Sequence, residues 1–262
     1  MKNLIAIVIL TLLSFLHSSI SRAAESKTIW DSWYTVTVNG TTHYEYYNEK
    51  VEIKNGKLYF QNSLWKQEEG FINEEQLGAF AENNEEVSPL FYNYHSVYRS
   101  SETVIDATMM VKGSHELSVR VTKDKKQLPV VKRNVPGRTF FSQFFPIWLV
   151  RHFKSAPIGK TVSFTTLLED NIDGQFAPDE GSAKLEATDD FAKQSNTSKI
   201  AVEYHGLRSV WYVDGKGETA KLMMPEQNTV VEKVSKPVAK AFFDGGAKSG
   251  KKLKTLGNDL GE

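Results

Sequence analysis

The sequence of 262 residues contains no cysteine. This absence excludes disulfide bonds, zinc sites built on thiolates, a cysteine nucleophile and the attachment of a lipid to a cysteine behind a leader. The chain also lacks an excess of charge, because 32 basic residues balance 32 acidic ones. Proteins that bind nucleic acids usually carry a basic patch or stripe, so the composition favours no nucleic-acid partner.

A long apolar run occurs at the N-terminus. Lys2 precedes an apolar stretch from Leu4 to Leu16, and small and polar residues then lead to two alanines that end at Ala24. This order is typical of a secretory signal peptide, and the apolar stretch is shorter than the roughly 20 residues that cross a bilayer. We therefore expect residues 1–24 to be cleaved after either alanine, leaving no integral membrane span. We therefore predict that the protein is bacterial and is either periplasmic or secreted.

Short stretches that alternate apolar and polar residues recur behind this leader, separated by turn dipeptides. Asn55-Gly56 is one of them, and Asn-Gly is the strongest short-range signal of a β-hairpin. The pattern predicts a mainly β protein of antiparallel hairpins, with one domain over residues 25–243. Residues 244–262 are rich in glycine and lysine, which predicts a flexible tail.

Two segments have the features of short helices. Residues 73–82 offer Asn73 as an N-cap and acidic residues in the first turn, with Leu77 and Phe80 facing inward. Residues 236–243 form a second candidate helix. Residues 169–181, between two predicted strands, are predicted to be a loop.

Residues 139–153 hold the densest aromatic run behind the leader. Its apolar residues recur at helical spacing, which places them on one helix face, and Pro146 divides the run into a turn ending near Phe145 and a second helix. Because the surrounding elements are strands, we predict a strongly curved antiparallel sheet, an open half-barrel, with this aromatic helix in or across its concave face. The side chains of the run then form the core or line a hollow for an apolar ligand. As ligand-binding candidates we take Phe140, Phe141, Phe144, Phe145, Trp148, Leu149 and Arg151.

Three stretches together are similar to one group of exported proteins. They are WYTVTVNGTTHYEYY, RTFFSQFFPIWLVRHFKSAPIGKTVSFTTLLED and KIAVEYHGLRSVWYVDGKGETAKLMMPEQNTVVEKVS. Their order resembles the bacterial half-barrel proteins of the lipoprotein-carrier-like group, which includes LolA and LolB and uncharacterised periplasmic relatives. The resemblance implies a hydrophobic hollow that can hold an acyl chain, with a lipid or lipoprotein as partner and no catalytic residues.

Motifs for other chemistry are weak. Residues 169–180 nearly match a calcium loop, but the loop begins with Glu169 and follows a strand. Glu102 and Asp106 share a strand face, as acid–base pairs can. We expect no metal, cofactor or catalysis, and predict a non-catalytic periplasmic protein that binds a lipid, an acyl chain or an envelope protein segment. The alternatives are a structural or accessory envelope protein with a self-filled core and, third, a calcium-dependent or hydrolytic enzyme.

Overall fold

A computed structural model of the chain describes residues 26–40, 42–68, 71–98, 101–109, 115–168, 176–241 and 248–249. The predicted signal peptide, the first part of the acidic loop (169–175) and most of the predicted tail lie outside the described residues. Among the described residues, no helix has the length and apolar character needed to cross a membrane.

The described strands belong to one large sheet. Its first arm comprises β1 Ser26–Val38, β2 Thr42–Lys54, β3 Lys57–Glu68, β4 Phe71–Glu82, β5 Pro89–Tyr98, β6 Ser101–Met109, β7 Glu116–Lys123, β8 Lys126–Gln127 and β9 Val131–Asn134. The second arm comprises β10 Thr139–Phe141, β11 Thr161–Leu168, β12 Ala177–Leu185, β13 Ser198–Tyr204, β14 Leu207–Val213, β15 Thr219–Met224 and β16 Thr229–Val234, and is followed by β17 Lys248–Ser249.

Strand β1 joins the two arms, since it pairs antiparallel with β2 on one side and with β16 on the other. Antiparallel neighbours continue from β2 to β7 and from β16 back to β11. The short strand β10 then adds parallel to β11 and contacts β4 and β5 of the first arm. A flat sheet could not bring these strands together, so the sheet curls strongly. The predicted curved antiparallel sheet is confirmed.

Three short α-helices accompany the sheet in the described part of the chain: α1 Phe145–Phe153, α2 Asp190–Ser195 and α3 Lys236–Lys240. Helix α1 follows a 3-10 turn, Ser142–Phe144, and Pro146 lies in its first turn, where the missing N–H costs no hydrogen bond. The predicted division into a short turn and a second helix is therefore confirmed, with the helix beginning one residue earlier than predicted, at Phe145. The prediction that Phe140 and Phe141 share a helix face was wrong, because both lie in strand β10.

Residues 73–82 form part of strand β4, and the predicted helix there was wrong. Strand β4 pairs with β3 along its whole length and with β5 from Glu74 to Ala81. Leu77, Ala79 and Ala81 alternate toward the concave face, and the two alanines are fully buried. Pairing on both edges and this alternate burial outweigh the local helix signals, which are weak by comparison.

The core occupies the concave face of the sheet. Val51, Phe60, Ala79, Tyr92 and Ala107 are successive cross-strand neighbours from β2 to β6, and all are buried. Helix α1 and strand β10 pack against this face within the same apolar cluster. The small alanine side chains leave room there for the larger rings of residues 140–153.

The predicted loop, the short helices and the predicted tail differ in part from the structure. Strand β12 begins at Ala177, so the end of the predicted loop is a strand, and Glu180 pairs with Thr165 in the ladder. Helix α2 was not predicted. The helix predicted over residues 236–243 corresponds to α3, which spans Lys236–Lys240. Within the predicted tail, Lys248–Ser249 pairs with the start of β4.

Candidate functional site

The aromatic segment is packed inside the protein. The six apolar candidates are between 0 and 7% exposed. Phe140 and Phe141, being adjacent in a strand, face opposite sides. The Phe140 ring centroid lies 5.4 Å from that of Trp148, whereas the Phe141 centroid lies 5.6 Å from that of Tyr92. The structure therefore brings these candidates into one core, although Phe140 and Phe141 belong to different ring clusters.

Helix α1 is held in place by close backbone contact and by one arginine. Gly217, at φ +97°, lies so close to Ile147 that a Cβ atom there would be 2.9 Å from the Ile147 Cα. Arg151 donates hydrogen bonds to the Asn84 carbonyl oxygen and, at 2.6 Å, to the Asn83 Oδ1. Partial burial lowers the pKa of the Arg151 guanidinium. Arg151 thus ties the helix to the loop between β4 and β5.

A groove of about 810 Å³ opens beside the helix. Trp148, Val162, Phe164 and Tyr204 contribute its apolar surface, and the ring centroids of Trp148 and Phe164 are 5.7 Å apart in an edge-to-face arrangement. The groove is also lined by Glu86, Gly137, Arg138, His152, Ser163, Thr165, Glu180, Gly181, Ser182, Glu203, His205 and Gly206. Of the seven predicted ligand-binding residues, only Trp148 lines this groove.

Gly181 shapes the groove floor. It is the cross-strand neighbour of Phe164, and a Cβ atom at this position would overlap the Phe164 ring. The absence of a side chain at Gly181 therefore lets the Phe164 ring pack directly against the backbone of strand β12. Such pairing of an aromatic ring with a strand glycine is a known way of covering exposed backbone.

Ionisable groups surround the groove in pairs. The Glu86 carboxylate lies 3.6 Å from Arg138 Nε and 4.0 Å from His152 Nε2, and His205 Nε2 lies 2.9 Å from the Asp179 carboxylate. His152 also stacks on Trp148, with ring centroids 4.0 Å apart. The described residues contain no cluster of three or more His, Asp or Glu side chains that could hold a metal ion.

A smaller cavity of about 480 Å³ adjoins the groove. Its lining includes Asn83, Asn84 and Ser88 from the loop between β4 and β5. Gly137 and Arg138, between β9 and β10, line both the cavity and the groove. The two openings therefore meet at these two residues.

A separate polar cluster lies on the concave face of β1 and β2. Trp30 donates a 3.0 Å hydrogen bond from Nε1 to the Glu49 carboxylate, and Ser32, the cross-strand neighbour of Glu49, donates one to the Glu218 carboxylate. Burial and, to a smaller degree, the Glu218 charge raise the pKa of Glu49 to about 7, although the Trp30 bond opposes the shift. The buried Tyr34 hydroxyl has no hydrogen-bond partner among the described residues.

Sequence reasoning identified the aromatic helix but missed the groove. The sequence marks Phe164 only as part of a stretch that alternates like a strand and Gly181 only as the end of the predicted loop 169–181, and it does not single out Glu86. These residues come from separate segments that meet only through sheet curvature, so no local spacing marks them. Arg138 directly precedes the aromatic run and His152 lies near its end, and this position beside the run is the signal that the sequence offers for them.

No protein-family model matches the sequence, and no curated protein matches it either. The chain is similar to two solved structures. One is a β-barrel-like protein of a domain of unknown function (DUF1849) from Brucella abortus, with 12% identity, TM-score 0.46 and coverage of 81% of this chain and 97% of that chain. The other is a DUF1089 family protein from Pseudomonas aeruginosa, with 12% identity, TM-score 0.43 and coverage of 71% and 92%. Resemblance to the LolA and LolB group stays a prediction.

Proposed function

We propose that the protein is a non-catalytic periplasmic binding protein that holds the acyl chain of a lipid. The observation that supports this function best is the groove of about 810 Å³ with Trp148 and Phe164 in its wall. Small-molecule sites commonly have volumes of roughly 300–1,000 Å³ and mostly apolar linings with a few polar groups. The groove has a volume in that range, and its lining combines the apolar side chains of Trp148, Val162, Phe164 and Tyr204 with a larger number of polar and charged residues.

In this proposal the ligand binds in the groove and not on the aromatic residues that the sequence predicts as the ligand-binding surface. Phe140, Phe141 and Phe144 are fully buried, and a ligand could reach them only by displacing core side chains. Trp148 and Phe164 are the members of the core cluster that also line the groove. An acyl chain would therefore lie against the outer layer of the rings while the inner rings support it.

A structural or accessory envelope protein is the second candidate. The observation in its favour is the same complete burial of the aromatic segment, because the chain fills most of its own concave face. In this alternative the groove is a surface depression without a ligand.

Binding of a fluorescent fatty acid distinguishes the two candidates. The chain without residues 1–24 is titrated with the probe, and organic extracts of the purified protein are examined by mass spectrometry. Acyl-chain binding predicts saturable uptake and a stoichiometric lipid in the extract. A co-purifying peptide would instead identify an envelope protein segment, whereas clean extracts and no uptake would support the structural alternative.

A matched pair of variants tests whether the probe binds in the groove. Val162→Trp adds an indole at a groove-lining position, and we expect it to weaken probe binding at least about tenfold by occupying the space. Val130→Trp makes the same change at a side chain that is exposed and outside the groove, and should leave binding unchanged. Equal effects of the two substitutions would locate the probe elsewhere.

A further inference from the structure

Arg138 occupies the point where the groove and the smaller cavity meet. It lines both of them. The aromatic surface of Trp148 and Phe164 lies on the groove side, and the amide and hydroxyl groups of Asn83 and Ser88 lie on the cavity side. A molecule that extends from the groove toward the cavity therefore passes Arg138, whose side chain is largely exposed.

The backbone at Arg138 is held in an uncommon conformation. Its φ angle is +66°, in the left-handed region that residues other than glycine seldom adopt. The Thr139 hydroxyl donates a 2.6 Å hydrogen bond to the Pro136 carbonyl oxygen and closes the turn around Arg138. Strained residues often lie at functional sites, and this turn sets where the arginine side chain begins.

The carboxylates around the groove do not occupy all the hydrogen-bond donors of the Arg138 guanidinium. Glu180 and Glu203 line the groove, but strand alternation turns their side chains away from the face of Gly181 and Tyr204, and both glutamates are exposed. Glu86 is the carboxylate beside Arg138, at 3.6 Å from Nε, which is longer than a hydrogen bond. The guanidinium, with its five N–H donors, therefore keeps capacity for another anion.

We propose that the ligand is an anionic amphiphile whose charged head binds Arg138 while its acyl chain lies along the groove against Trp148 and Phe164. This inference rests on the proposed function and adds the charge of the head group and its position. His152 lies next to Glu86 on the same side of the groove, so the head group meets a second nitrogen-bearing side chain there. A neutral lipid would use the groove but leave Arg138 without an additional partner.

Dodecanoate and dodecanol test the inference, since they share a chain and differ in the charge of the head. We expect the unmodified protein to bind dodecanoate about fivefold more tightly, the upper end for a solvent-screened ion pair. Arg138→Gln should remove this preference and leave dodecanol affinity unchanged. Glutamine at φ +66° carries a backbone strain similar to that of arginine, so the variant changes mainly the charge.

Two further variants control for damage to the fold. Glu86→Gln removes the competing carboxylate and should strengthen dodecanoate binding, a gain that an unstable protein would not show. Arg120→Gln neutralises an exposed arginine on β7 and should preserve the preference for dodecanoate. Sodium acetate at millimolar concentration should not displace dodecanoate, because a free anion lacks the chain.

The outcomes separate the two levels of the proposal. Equal affinities for dodecanoate and dodecanol, or a preference that survives Arg138→Gln, would overturn the head-group assignment while acyl-chain binding stands. Displacement by acetate would show that the site binds a free anion without a chain, and would overturn the choice of an amphiphile as the ligand. Failure to bind either amphiphile would overturn the proposed function itself.

Discussion

The concave face of the sheet is buried in two different ways. Around Phe140 and Trp148 it is covered by stacked rings with ordinary core contacts. Around Ser32 and Glu49, on the neighbouring strands β1 and β2, the same face carries carboxylates that depend on hydrogen bonds from Trp30 and Ser32. One continuous sheet surface thus contains an apolar region and a polar region.

The contrast separates two sources of stability. Apolar rings removed from water stabilise the fold at every pH, roughly in proportion to their buried area. A carboxylate held away from water favours the folded state fully only while it carries a proton. The apolar region should therefore respond to changes of volume, and the polar region to changes of pH.

Truncation of Phe140 should give the largest effect. Phe140→Ala removes a fully buried ring that contacts Phe145, Trp148 and Phe164, and should lower the free energy of unfolding by about 3–5 kcal/mol. Urea denaturation at fixed pH measures this change. Phe191→Ala is the control, because that ring is 38% exposed, and it should cost less than about 1 kcal/mol. Similar losses in both variants would contradict the assignment of Phe140 to the core.

The sequence predicts the local features of this fold well. Asn55 and Gly56 both adopt positive φ angles, +51° and +76°, as the favoured two-residue hairpin turn requires. Pro146 lies in the first turn of helix α1, and the phenylalanine and tryptophan side chains of the aromatic run are buried. Each of these features depends on residues that are close together in the chain, so their pattern is sufficient to predict them.

Features that depend on distant partners could not be predicted in this way. Residues 73–82 form a strand because β3 and β5 supply hydrogen bonds on both edges, which no local signal reports. Phe141 leaves the predicted helix face because Tyr92 and Phe176 surround it on the other side of β10. The groove likewise combines Glu86, Arg138 and Gly181 from three segments.

Neutralising Glu49 should give the next largest effect and should depend on pH. The pKa of Glu49 is raised from 4.5 to about 7 in the folded protein. The folded state therefore holds a proton more tightly than the unfolded state, and this stability is present below pH 4.5 and is lost as the pH rises through 7. Glutamine has no carboxyl to ionise, so the free energy of unfolding of Glu49→Gln should not fall in this way. Between pH 4.5 and pH 8, the difference in unfolding free energy between the variant and the unmodified protein should shift in favour of the variant by at most about 3 kcal/mol.

Urea denaturation at several pH values between 4 and 8.5 measures the Glu49 effect. The glutamine oxygen can still accept the Trp30 hydrogen bond, so the comparison isolates the charge. Glu85→Gln changes an exposed glutamate in the loop after β4 and should leave the pH dependence unaltered. An unchanged pH profile in Glu49→Gln would show that the polar region of the concave face is well hydrated.

Two strand glycines should show the smallest effects: Gly181, which borders the apolar region beside Phe164, and Gly78, which lies on the opposite face of β4. In Gly181→Ala the new methyl group would overlap the Phe164 ring and lie 2.8 Å from the Glu203 carbonyl oxygen, so we expect a loss of about 1–3 kcal/mol together with weaker ligand uptake in the groove. Gly78→Ala would place its methyl group at an ordinary 3.6 Å from the Tyr59 hydroxyl and should be neutral or stabilising by up to about 1 kcal/mol, since alanine loses less backbone entropy on folding. Urea denaturation of both variants measures the difference, and equal stabilities would mean that the ring layer is not close-packed where it meets the groove.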